Sequence, residues 1–265
     1  MADFYKDLEN SELVLVGLGE EFDGSFSEDK TPGYDKIKEQ LSDCGRFDLI
    51  PIAQELYRGE QEKKICDALN HLAGILDKKN YFVVSTSLNP VINRIKWRDN
   101  RIVKPCGDLQ NVQCIKGCDN IIEKISDDTL FALKNQWKEA DDRDKNASYL
   151  IDCIEKMLGK CSNCASSMIF NTIYADNYNE AGYLTDWKTY MTWLQGTIHK
   201  SVMILELGVS MKYPSVIRFP FEKVAFYNAK SKFYRVNEKL YHMTEELHDK
   251  GVSVKENACD WLLSV

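Results

Sequence analysis

The residues of this chain whose types and spacing speak most directly of chemistry are four cysteines in two close pairs. Cys114 stands with Cys118, and Cys161 with Cys164. Each short loop can aim two thiolates at one ion, and four sulfur ligands leave no position for water. The pattern therefore predicts one structural, tetrahedral zinc rather than a catalytic one. Immediately upstream the chain passes through Cys106-Gly107-Asp108, a strand-to-glycine turn of the kind on which an enzyme places a reactive group. Segment 103–118 thus joins half of a metal site to a candidate active site. Asp108 reads as a cap on that turn. Cys44, Cys66, Cys153 and Cys259 are isolated and read as small buried hydrophobes.

Composition narrows the setting. The 265 residues are enough for one sizeable domain with an insertion, or for two small ones. With 44% hydrophobic and 28% charged residues the chain reads as a soluble globular protein. No apolar run approaches a membrane span, and the polar, acidic start does not read as a signal peptide. A formal charge of −7 with no basic run speaks against nucleic acid as the partner. The expectation is a cytoplasmic protein with neither membrane nor nucleic-acid partners, a compartment in which nine cysteines favour metal over disulfides.

Strands alternating with helices must position these groups. Apolar runs at 12–17, 81–86 and 201–208 read as buried strands, with shorter ones at 101–104, 168–174 and 232–237. Residues 34–77 read as helical, with Ile65, Leu69, Leu72 and Leu76 on one stripe. Residues 121–159 read as two helices around a charged turn at 141–146, and 27–33 as a loop. An aromatic helix is expected at 185–194, capped by Thr185. A loop stiffened by Tyr213-Pro214 and Phe219-Pro220 follows the 201–208 strand, and a final helix is expected around 240–248. This order predicts an α/β fold, a Rossmann-like parallel sheet with helices on both faces, plus a small zinc-binding domain carrying a helical insertion. The expected division is 1–110 with 165–265 for the first, and 111–164 for the second.

Ligands of such sheets collect at the carboxyl ends of the strands. Four of those ends carry Gly17-Leu18-Gly19, Ser85-Thr86-Ser87, Gly208-Val209-Ser210 and Asn237, small or hydrogen-bonding groups that let a backbone approach phosphates and sugars. Glu20 and Glu21 follow the first turn directly, which puts carboxylates where a pyrophosphate would lie.

Taken in order, these segments resemble the sirtuins, NAD-dependent protein deacylases and ADP-ribosyltransferases. The likeness is carried by VGLGEEF, FVVSTSLNPVI, IVKPCGDLQNVQC, the two cysteine pairs, LGVS and RVN, over nearly the whole chain. Residues 205–222, LELGVSMKYPSVIRFPFE, look most like the microbial branch that includes macrodomain-linked, ADP-ribosylating sirtuins. The resemblance implies NAD and one structural zinc as cofactors. It places phosphate on Gly17, Gly19, Gly208 and Ser210, and the adenosine ribose on Asn237. Ser85, Ser87 and Asn89 would line the nicotinamide side.

Departures from the family's pattern fall on the chemistry. Cys106 stands where a general-base histidine is expected, and Ser87 and Asn89 stand where an asparagine and an aspartate are. A thiol, with an ordinary pKa of about 8.5, serves as base or nucleophile only if its setting lowers that value. Histidine offers no replacement, because His71, His199, His242 and His248 read as surface or packing residues. The resemblance implies cleavage of the nicotinamide–ribose bond, with ADP-ribose passing to an acyl group or protein side chain and a protein substrate as partner. The losses favour an alternative, a catalytically degenerate sensor or scaffold for NAD or an ADP-ribose derivative. A third reading makes the helical insertion a protein-interaction module beside a dead site.

Overall fold

Three stretches in which apolar residues follow one another without a polar break, 13–18, 81–84 and 202–205, have no face to give to water. They become the inner strands of a parallel sheet. The computed structural model describes residues 2–26, 31–118, 122–142 and 144–265. Residues 27–30 of the expected loop, and Ile121 and Arg143 of the expected insertion, lie outside the described residues.

In chain order the first half comprises α1 (Ala2–Asn10), β1 (Leu13–Leu18), α2 (Tyr34–Asp43), α3 (Ile50–Tyr57), α4 (Gln61–Leu76), β2 (Asn80–Ser85), α5 (Val91–Arg94), β3 (Ile102–Val103), β4 (Gly107–Cys114) and β5 (Ile122–Lys124). The second half comprises α6 (Asp127–Glu139), α7 (Ala147–Leu158), β6 (Met168–Thr172), α8 (Leu184–Gln195), β7 (Val202–Leu207), α9 (Arg218–Tyr227), β8 (Ser231–Val236), β9 (Gly251–Val254) and α10 (Ala258–Ser264).

The larger sheet runs β3-β2-β1-β7-β8-β9, with every pairing parallel. Side chains alternate between its faces, so β1 serves two cores at once. Val14, Val16 and Leu18 pack with Phe4, Leu69, Leu72 and Leu262 from α1, α4 and α10. Leu13 and Leu15 pack on the other face with Tyr190, Trp193 and Phe221 from α8 and α9. The Ile65/Leu69/Leu72/Leu76 stripe is the buried side of α4. Tyr190 and Trp193 are core residues against Phe82, and the Trp193 indole donates to Asn80 Oδ1 at 2.8 Å.

A second sheet, β5-β4-β6, is antiparallel and carries the cysteines. Its core joins Leu109, Val112 and Phe170 to Leu133, Trp137 and Leu150 of α6 and α7, and also to Leu41, Ile52 and Ala53 of α2 and α3. Ser126 caps α6 by accepting from Thr129 N–H, and Asn146 caps α7 by accepting from Tyr149 N–H. Charged groups bind the two layers together. Buried Glu55 and Arg58 pair with each other, and Lys134 of α6 reaches Glu55 and Glu62 at 2.6 Å each.

Several local expectations change. Residues 240–248 form no α-helix. Arg218 and Arg235 donate to the Leu240 and His242 carbonyls, taking acceptors a helix would need, and the chain turns back to lay β9 beside β8. Thr185 lies inside α8, whose N-cap is Tyr183 with no side-chain cap bond. Phe219-Pro220 belongs to the first turn of α9, where a proline's missing N–H costs nothing. The segment from Gly107 to Cys114 is strand β4, and β9 and α10 close the chain.

Candidate functional site

Cys114 ends β4, and a tight turn follows in which Gly117 N–H donates to Cys114 O at 2.9 Å, returning the chain to Cys118. A matching knuckle has Cys161 N–H on Ser166 O at 2.8 Å and Ala165 N–H on Cys161 O at 2.9 Å. The two turns bring all four sulfurs within 4.8 Å of one another, with Cys114 and Cys164 Sγ 3.5 Å apart. Ligands at about 2.3 Å from a tetrahedral zinc have sulfur–sulfur edges of this order, so the set fits the ion. Cys114 and Cys161 are buried while Cys164 is exposed. Without a cation such crowding cannot tolerate four thiolates. Hydrogen bonds with Cys164 and Cys114 push Cys118 up to about 12, whereas those from Ser166 bring Cys164 down to about 6.

At the carboxyl edge of the larger sheet lies a cleft of about 700 Å³, of nucleotide size, lined by Glu20, Glu21, Gly208, Ser210, Asn237 and Cys259 among others. It forms where the turn after β1 meets the ends of β7, β8 and β9. Gly19 is required there because a Cβ would lie 2.2 Å from Val209 Cα. Gly208 sits at φ +63°, and the Glu21 side chain passes over it so closely that a Cβ would lie 2.6 Å from that of Glu21. Gly17 does not face the cleft. It lies within β1, and a Cβ there would meet Ile217 and Phe221 of the core at 2.5 and 2.9 Å. Its smallness serves helix packing rather than a phosphate.

The residues named at the other strand ends hold loops together. Asn237 donates from Nδ2 to Val209 O at 3.0 Å, and its Oδ1 accepts from the N–H groups of Lys239 and Leu240. Glu206, buried in β7, pairs with Arg235 at 2.7 Å and with Arg218 at 3.2 Å, and both arginines hold the 240–242 carbonyls behind this wall. At the end of β2, Ser87 Oγ donates to Asp23 Oδ1 at 2.7 Å, and the same oxygen accepts from Leu88 N–H at 2.9 Å. Asn89 donates to Phe22 O at 2.6 Å and accepts from Val91 N–H at 3.0 Å. Ser85 points its hydroxyl at Ser87 O. Ser85, Ser87 and Asn89 are all buried; Ser87 and Asn89 clamp the turn at 20–23 to the loop after β2, which Ser85 braces from within. Thr86 Oγ1 at the end of β2 and Thr172 Oγ1 at the end of β6 are buried hydroxyls with no hydrogen-bond partner among the described residues.

Cys106 is fully buried. Burial, reinforced by the Glu20 and Asp23 carboxylates and only partly opposed by Lys212, pushes its thiol far up. A neutral thiol at every physiological pH is neither a base nor a nucleophile, so the expected catalytic role does not fit its surroundings. The reason is local: Gly107 packs against the Asn171–Thr172 backbone of β6, and Tyr178 closes over the turn through a 2.9 Å bond to Pro105 O. Asp108 is an ion-pair partner rather than a simple cap. Burial alone would raise its carboxyl, but Lys104, with hydrogen bonds from Gln110 and Asn93, holds it below the usual range. The histidines lie elsewhere. His71 bonds to Val265 O from α4, His199 precedes β7, and His242 and His248 lie between β8 and β9.

Three residues of this edge were not singled out in the sequence. Asp23 sits beneath Ser87, and its burial pushes the carboxyl up to about 6 against the opposing pull of Ser87 and Arg58. Arg58 donates to Asp23 O at 3.0 Å, and burial lowers its guanidinium to about 10. Lys212 bonds to Tyr174 OH and lies over the Tyr174 and Tyr213 rings at 4.4 and 5.3 Å. For Asp23 the available signal was its position in the first turn after the glycines. The other two become adjacent only through the fold.

No family model matches the chain, and no curated protein does so significantly. Solved structures do match. The fold is similar to that of Sir2Tm bound to a propionylated peptide, at 14% identity, covering 100% of this chain and 96% of that one, with a TM-score of 0.57. It is similar to Sir2 in complex with an inhibitor, 2′-O-acetyl-ADP-ribose and a deacetylated p53 peptide, at 14% identity, coverage of 100% and 97%, and a TM-score of 0.57. It is also similar to Sir2 with a p53 peptide and NAD⁺, at 12% identity, coverage of 100% and 96%, and a TM-score of 0.56. The likeness establishes a sirtuin-type fold for the whole chain. Among the described residues, no helix is long and apolar enough to cross a membrane.

Proposed function

We propose that this protein binds NAD or an ADP-ribose derivative at the carboxyl edge of its parallel sheet and carries one structural zinc on Cys114, Cys118, Cys161 and Cys164. The observation that carries the reading is the cleft of about 700 Å³ built jointly by the turn at Gly19 and the ends of β7, β8 and β9. In a fold shared with Sir2 proteins solved with NAD⁺ and peptides, that is where a nucleotide belongs. Gly208 and Ser210 would border the phosphates, and Asn237 the adenosine ribose. Ser87 and Asn89, with Ser85 bracing their loop, would act by holding the turn at 20–23 in place behind the ribose. The division into 1–110 with 165–265 and 111–164 belongs to this reading, and the helices at 34–57, within 1–110 in sequence, pack into the core of the smaller unit.

NAD supplies a scissile nicotinamide–ribose bond, and the reaction that goes with the fold is deacylase-like, with ADP-ribose passing to an acyl group or a protein side chain. Likeness of 205–222 to the macrodomain-linked branch favours the side chain as acceptor. Cys106 has no part in that chemistry. Asp23, behind the cleft wall formed by Glu20, Glu21 and Gly24, is the candidate to take a proton, because a carboxyl near pKa 6 is a competent base at neutral pH. The second reading, a sensor or scaffold that binds without turnover, is favoured by one observation: the hydrogen bonds of Ser87 and Asn89 are already spent on the protein.

Nicotinamide release from NAD, measured with and without acyl-peptide, separates the two. The first reading expects release that survives Cys106→Ala and is lost in Asp23→Asn. Calorimetric binding with no release in any variant selects the sensor. No binding at all removes both.

A further inference from the structure

Resting on the nucleotide reading, the conformation of the turn after β1 carries a further step. Glycine turns at the carboxyl end of a first strand receive phosphate through backbone N–H groups. Here three such donors around the cleft already have an anion on them, and the anion is the protein's own. Glu20 Oε2 accepts from Ser210 N–H at 2.9 Å. Glu21 Oε1 accepts from Glu238 N–H at 2.9 Å, and its Oε2 from Ala258 N–H at 2.7 Å. The donors come from three segments far apart in sequence, after β7, after β8 and at the opening of the C-terminal segment. They converge on two adjacent carboxylates. Gly208 has no side chain, and this allows Glu21 to lie flat across it.

Charge in the cleft points the same way. Glu20, Glu21, Glu238 and Asp260 line it against Lys64 and Lys239, and Lys64 is paired with Asp260 at 2.6 Å. Cys259 is a further titratable group, and burial pushes it up to about 12, so it carries no charge. A diphosphate would therefore enter a pocket of its own sign, whereas a nucleoside would not.

We infer that Glu21, assisted by Glu20, is an internal stand-in for a ligand phosphate and sets the charge class the cleft accepts. A nucleoside binds with Glu21 in place. A nucleoside diphosphate such as ADP-ribose or NAD binds only as Glu21 takes up a proton and leaves its donors. Protonation is within reach because burial, together with the Glu238 carboxylate, already raises Glu21 against the opposing N–H bonds and Lys239. Glu21 is thus a specificity-determining residue for the ligand of this site.

Titration calorimetry of adenosine and of ADP-ribose into wild type, Glu21→Gln and Glu21→Ala, each in two buffers of different ionisation enthalpy, tests this. The diphosphate stays ionised across neutral pH, so proton uptake reports on the protein. Wild type is expected to take up protons on binding ADP-ribose and none on binding adenosine. Both variants are expected to bind ADP-ribose at least tenfold tighter at pH 8, without that uptake, and to bind adenosine within twofold of wild type. Equal or weaker ADP-ribose affinity in the variants, with their melting temperatures lowered, makes Glu21 a structural tie and overturns the inference. Failure of all three proteins to bind either ligand removes the nucleotide reading itself.

Discussion

The cysteine module and the carboxyl edge of the parallel sheet are opposite cases of how residue types become a site. In the module, four like sulfurs converge on one point, and the few hydrogen bonds they receive, such as Lys116 N–H on Cys114 Sγ, do not separate them. Only an ion can complete the set. At the sheet edge, most of the polar groups that face a ligand have found partners within the protein. Ser87 and Asn89 hold the turn at 20–23, Asn237 holds the 239–240 backbone, and Glu21 holds two backbone donors. The lesson is that donor convergence identifies a ligand site securely only when the donors cannot satisfy one another. Thiolates repel and need a cation, whereas amides, hydroxyls and carboxylates readily pair.

The sharpest break in this comparison comes from the module. Replacing Cys161 with serine is expected to take bound zinc from one per chain to none and to unfold the small sheet, a loss of at least about 4 kcal/mol. Zinc content by atomic absorption, with thermal melting, checks this; an unchanged metal content would show that the cluster is not a zinc site. The sheet edge should prove nearly as costly to disturb, though for internal reasons. Arg235→Met leaves Glu206 buried with only Arg218 beside it, and about 3–5 kcal/mol of stability should disappear in denaturant unfolding.

Asp23 gives a pH-dependent test. Its carboxyl is raised from 3.8 to about 6, so the folded state resists ionisation there. The stability tied to its neutral form is present below the unfolded value and is lost as pH rises through about 6. Asp23→Asn keeps an acceptor for Ser87 and Leu88 and should therefore gain about 1–3 kcal/mol over wild type at pH 8, with no gain near pH 3. A uniform gain or loss across pH would show that the carboxyl is not strained by burial. The smallest effect belongs to Cys106. Native protein at pH 8 should leave it unalkylated while Cys44, exposed rather than buried as its isolation suggested, reacts, and Cys106→Ala should change nucleotide affinity by less than about twofold.

Much of the architecture was legible in the sequence because burial on both faces leaves a plain mark. The strands at 13–18 and 202–207 carry almost nothing but apolar residues, the strand at 80–85 is apolar between Asn80 and Ser85, and the cysteine spacing specified the module. Elements decided by distant partners were not legible. Residues 240–248 have the composition of a helix, yet two arginines from α9 and β8 take their carbonyls. The strand from Gly107 to Cys114 is polar because its pairing with β6, rather than an apolar run, fixes it. The surroundings of the site residues were the least legible, for the same reason. That Gly17 packs under Ile217, that Ser87 answers to Asp23, and that Cys106 is sealed behind Tyr178 are all facts of long-range contact.

The most direct measurement fills the cleft without touching the core. NAD is titrated into wild type and Ser210→Trp, a replacement whose ring would occupy the space between Glu20, Gly208 and Leu240. One NAD per chain is expected in wild type, with affinity falling at least tenfold in the variant while zinc content and melting temperature hold. Equal affinity in the two proteins, or no binding to wild type, contradicts a nucleotide site at this edge.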